Sequence, residues 1–162
     1  MDIVICRVIY PDDPTQNTSP HQHFIAYRNA AKDEVVLIPF KSAGGKERHV
    51  YYDIENSKVR DNVILFKDND QSACRFNKPT FIDCRNAFRL KMDGSINLER
   101  LAHRDMPPHL KQAVLEKVYE MKSQNRLVEQ MIDLKNFKNL NPRAVSPIKK
   151  QNVNTPKRQV HR

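Results

Sequence analysis

The hydrophobic period of this chain changes once, at Pro107-Pro108, and that change limits the folds open to it. Before it, apolar residues come in short β-branched or alternating runs separated by turn formers, a period of two. These runs predict strands over Ile3–Tyr10, His23–Arg28, Glu34–Phe40, Arg48–Asp53, Asn62–Phe66 and Thr80–Cys84. Phe88–Met92 alternates strictly up to Asp93-Gly94, a type I′ turn signal, from which Ser95–Leu98 is expected to return. Beyond the prolines, which a first helical turn tolerates, Leu110, Val114, Val118 and Met121 form an apolar stripe at helical spacing. Leu127, Val128, Met131 and Ile132 extend it past a polar stretch, as one long helix or two. Strands first and helix last predict an α+β fold, mainly β: a small, strongly bent antiparallel sheet or barrel with a C-terminal helix closing one side.

Charge divides the chain a second time. Of its 28 Lys and Arg, eight lie in residues 135–162, which contain no acid, so the net charge of +9 belongs largely to that segment. With three prolines and scattered apolar residues, it cannot bury enough surface to offset its ordering entropy. The expected organisation is a barrel-plus-helix domain over 1–134 and a basic, flexible, disordered tail over 135–162. An acid-free basic tail suits a polyanion such as RNA or DNA, through Lys149, Lys150, Lys157 and Arg158; a solubilising tail, or one that docks on an acidic protein, carries comparable weight.

Three glycines in 162 residues exclude a Walker A loop and a dinucleotide fingerprint, both of which need several at fixed spacing. The longest apolar run, Val35–Phe40, is far short of the ~20 residues that cross a bilayer. The start of the chain has no basic segment before an apolar one and no small-residue cleavage site, which predicts a soluble, cytoplasmic protein. Three cysteines without CxxC spacing read as buried small hydrophobes, not as a disulfide framework or metal site; no cofactor is expected.

Polar residues beside strand ends are the remaining candidates for chemistry. His21 and His23 follow the ten-residue, turn-rich loop Pro11–Pro20, which is long enough to be functional rather than a mere connection. Lys41 and Ser42 follow the apolar strand ending in Pro39-Phe40, and Asp83 and Arg85 flank Cys84. Regular alternation would give Asp83 and Arg85 one exposed face opposite an inward Cys84, where an acid beside an arginine is ordinarily a solvated ion pair.

In order, these features resemble the MazF/PemK/Kid-type toxin family, endoribonucleases that cut single-stranded RNA without a metal. The loop Pro11–Pro20 lies where that family has its mobile loop, and Gln22-His23-Phe24-Ile25-Ala26-Tyr27 where it has an Arg-Pro and the following strand. Ile38-Pro39-Phe40-Lys41-Ser42 is similar to its Pro-x-Thr-Ser segment, with Lys41 for Thr. Asn77 to Asn86 is similar to its later Arg-Cys-Asp-Gln strand, with acid and arginine exchanged about Cys84. The resemblance covers about residues 3–122. It implies an SH3-like barrel, a toxin–antitoxin role with a small acidic antitoxin as partner, and a homodimer. It also implies a catalytic groove of His23, Lys41, Ser42, Asp83 and Arg85 beneath the loop, with His21 contacting RNA. There, a His or Asp would take the 2′-hydroxyl proton, Lys41 and Arg85 would hold phosphate charge, and His21 or His23 would act as acid. A non-catalytic nucleic-acid- or protein-binding module on the same barrel fits the altered residues equally well.

Overall fold

The computed structural model of the chain describes residues 1–13, 15 and 17–146. Its centre is β3 (Glu34–Ser42), whose residues Glu34 to Phe40 are all buried because both faces are covered. Val36, Ile38 and Phe40 point into one core with Ile3, Phe24 and the helical Leu110, Val114, Val118 and Met121. Val35 and Leu37 point into a second with Val4, Leu90, Phe137 and Ala144. The apolar run is therefore the mark of a strand sandwiched on two sides.

One edge of β3 pairs antiparallel with β2 (His21–Asn29), which pairs with β1 (Ile3–Cys6), with a bulge between Ile25 and Tyr27. The other edge is shared. Glu34–Leu37 pairs with β8 (Asn86–Lys91), and Phe40–Ser42 with β7 (Thr80–Asp83). Pro39, which has no N–H to give, stands where β3 changes partners. Between β3 and β7 lie α1 (Arg48–Tyr51), the two-residue hairpin β4 (Tyr52–Asp53) and β5 (Lys58–Val59), β6 (Val63–Phe66) and α2 (Asp68–Ala73). β6 pairs with β7, and β9 (His103–Arg104) with β1. The main sheet runs β10-β8-β3-β2-β1-β9 with β7 and β6 branching from β3, largely antiparallel and not closed into a barrel.

Helix α3 (Pro108–Ser123) begins at the second proline and lays its stripe on the first core, as its period predicts. It ends in a Schellman turn: Asn125 has φ 58°, its N–H donates to the Lys122 carbonyl (3.1 Å), and the Arg126 N–H to that of Met121 (2.8 Å). The chain then leaves as β10 (Val128–Met131), parallel to β8, where a continued or second helix was expected.

Three further expectations are corrected. Arg48–Asp53 is a helical turn running into two strand residues, not a strand. The Asp93-Gly94 turn has the positive φ angles (34° and 80°) of its type, but the return strand shrinks to one bridge, Ile96 to Val145, and a helical turn at Leu98–Arg100. The boundary at 134 falls inside the fold: α4 (Leu134–Leu140) and a turn at Pro142–Ala144 bury Phe137, Asn141 and Ala144. Few apolar residues suffice there because they cap an existing core and need not build one. The remainder of the basic segment, with Lys149, Lys150, Lys157 and Arg158, lies outside the described residues. Among the described residues, no helix is long and apolar enough to cross a membrane.

Candidate functional site

An open cleft of about 780 Å³ lies where β2 begins and β3 ends. Tyr10, Asp12, Asp13 and His21 approach it from the loop side, Lys41 and Ser42 from the end of β3, and Glu47 from the segment after it. Asn77 and Lys78 precede β7, and Asn86 and Phe88 belong to β8. The antiparallel register of β3 with β7, Ser42 opposite Thr80, brings these segments together.

His21 lies 2.8 Å from the Ser19 carbonyl through Nδ1, which therefore carries the proton and leaves Nε2 as the basic nitrogen. Lys41 is exposed and Ser42 half-buried. Asp13 is held below its usual carboxylate range by the Thr15 hydroxyl (2.6 Å) and N–H (2.9 Å), and stays an anion at the rim. Tyr10 packs on Phe88, ring centroids 4.8 Å apart, and presents the edge of an aromatic platform.

His23, expected in the groove, is wholly buried beneath it. Its Nδ1 lies 2.9 Å from the His21 carbonyl, to which it donates, and its Nε2 accepts from the Tyr10 hydroxyl at 2.5 Å. Burial lowers its pKa to about 4, so the ring is neutral and fully engaged near neutrality, a brace between loop and strand. The thiol of Cys6, 3.4 Å from Nδ1, is pushed up to about 12 by burial. Cys74 and Cys84 are likewise free and buried, with pKa values raised by burial to about 11 and about 12. None of the three is an activated nucleophile.

Asp83 and Arg85 also leave the expected groove. Asp83 is buried and accepts from Asn62 Nδ2 (2.7 Å), Asn86 Nδ2 (2.9 Å), the Arg85 N–H (3.1 Å) and the Arg85 guanidinium (3.3 Å). Such a carboxylate ties the β6–β7–β8 corner and has no free edge for proton transfer. Strand alternation fails here because β7 ends at Asp83 and the chain turns. Arg85 then faces a second cavity with Arg60 and Arg126. The cleft thus gathers His21, Lys41 and Ser42, sets His23 underneath, and separates Arg85. Tyr10, Lys78 and Asn86 escaped the sequence reading: Tyr10 looked like the end of a buried strand, and only the polar Asn77-Lys78 before β7 hinted at the others.

Among the described residues, no three His, Cys, Asp or Glu side chains gather as a set of metal ligands. No protein-family model and no curated protein matches the chain.

Proposed function

We propose that the cleft binds single-stranded RNA and cleaves it by metal-independent attack of a 2′-hydroxyl on its own phosphate, on an SH3-like framework of the MazF/PemK/Kid toxin type. One observation carries the reading: an imidazole with a free basic nitrogen, an exposed lysine and a hydroxyl meet in one open cleft. His21 Nε2 takes the 2′-proton. Lys41 and the Ser42 hydroxyl hold charge on the non-bridging oxygens as the phosphorane forms. The 5′-oxygen leaves with a proton from the imidazolium or from water, leaving a 2′,3′-cyclic phosphate. Tyr10, packed on Phe88, offers its ring edge to a base beside the scissile phosphate.

The test is purified protein with end-labelled single-stranded RNA in EDTA. Fragments with cyclic phosphate ends are expected, and a 2′-deoxy substitution at the cut should block them. His21→Gln should slow cleavage about 10²–10⁴-fold and Lys41→Ala about 10²–10³-fold. Binding without cleavage would favour the non-catalytic module instead.

A further inference from the structure

A second cavity, of about 520 Å³, opens beside the cleft, and five cationic or imidazole side chains line it: His49, Lys58, Arg60, Arg85 and Arg126. We propose that it is a phosphate site for the backbone of a strand that leaves the cleft, with Lys58 and Arg60 at its centre. The inference rests on the RNA-binding reading above and adds a subsite that neither the resemblance nor the cleft requires.

The arginines are ordered before any ligand arrives. Arg60 donates Nε–H and Nη2–H to the His49 carbonyl (3.1 and 3.0 Å), Arg126 grips Asp61 through both terminal nitrogens (2.8 and 2.9 Å), and Arg85 is forked on Asp83. A guanidinium fixed by its surroundings loses little entropy on engaging a phosphate. Pairing also decides where the charge is left over. Arg85 and Arg126 are each matched by a carboxylate, whereas Arg60 donates to a neutral carbonyl and keeps its full charge. Lys58 has no carboxylate within ion-pair distance among the described residues. Asp53 faces the same cavity as an anion, opposite Lys58 across the β4–β5 pair and in the field of Arg60. It accepts from the Asn56 amide (2.7 Å) and forms a direct ion pair with neither, so an incoming anion competes with one carboxylate for two cations.

The two cavities share a wall. Asn62, lining the second, donates to Asp83 Oδ1, and Asn86, lining the first, donates to Oδ2. Consecutive residues, Arg85 and Asn86, face opposite sides of it. A phosphodiester chain that leaves the cleft past Asn86 therefore meets the cationic side chains on the other side of this wall.

The experiment compares two fluorescent 2′-O-methyl RNAs, which cannot be cleaved: one of about three nucleotides, filling the cleft, and one of about nine. Binding is measured by anisotropy over a salt series for the wild type, Lys58→Glu and Arg60→Gln; the glutamine can still donate to the His49 carbonyl. Each variant should weaken the longer RNA about fivefold or more and reduce its log–log salt slope by about 0.7, the share of one single-strand phosphate contact. The shorter RNA should be unaffected. Equal affinity and slope for the longer RNA in all three proteins would overturn the site. If the wild type binds neither RNA, the RNA reading fails and pyrophosphate decides. A thermal shift with pyrophosphate in the wild type that both variants lose would keep the cavity as a phosphate site; no difference among the three would remove it.

Discussion

Burial holds the His23 imidazole at a pKa of about 4, against 6.5 for a free ring, and ties both ring nitrogens to the loop-side residues Tyr10 and His21. The unfolded chain takes up this proton near pH 6.5 and the folded one only near 4, so the unfolded state binds more protons between them. Stability should be level above about pH 7, fall as pH drops through 6.5 toward 4, and lose up to about 3 kcal/mol from this group. Urea melts across that range check it, and in His23→Gln most of the slope should vanish. Tyr10→Phe removes the donor to Nε2 and should cost about 1–3 kcal/mol without altering any proposed catalytic group. The sequence could nominate both histidines, since two residues along a strand share a face. It could not reveal depth: His21 sits at the open end opposite Cys6, while His23 sits opposite Pro39 under Tyr10. Asp83 was misplaced for a related reason, because alternation holds only while the strand lasts.

At the scale of elements, the end of α3 sets the course of the chain beyond it. Asn125 occupies a left-handed conformation (φ 58°) that a β-branched residue resists. Asn125→Val should therefore lower stability by about 1–2 kcal/mol, whereas Asn125→Gly should be neutral or mildly stabilising; thermal melts separate the two. The helix itself was legible from its proline start and its stripe. β10 was not, because Leu127, Val128, Met131 and Ile132 fit helical spacing as well as a short strand, and the one stop signal, Asn125, was hidden among other polar residues. Pro39 is the counterpart in β3: the apolar run marked a buried strand, but its sharing between β7 and β8 depends on segments about forty residues or more away.

Across the whole molecule, the C-terminal segment belongs to the second core. Phe137 and Ala144 are buried in it, and Lys138 holds Asp93 of the hairpin turn at 2.6 Å. A chain ending at Leu134 should be markedly less stable than one ending at Ser146, and Phe137→Ala alone should cost about 3–5 kcal/mol in urea unfolding. Equal stability of the two truncated chains would return this segment to the role of a mere tail. Its composition pointed the other way, since a basic, acid-free stretch reads as solvated until the core it covers is known. Beyond β1, the N–H and carbonyl of Arg7 both bond to the side-chain amide of Asn141 (2.9 and 2.8 Å), 134 positions further on. A ribosome adding about 5–20 residues per second delivers that amide many seconds after Arg7. The stretch that follows β1 thus waits many seconds for its partner, and a message cut short before Asn141 would leave both main-chain groups of Arg7 without that amide.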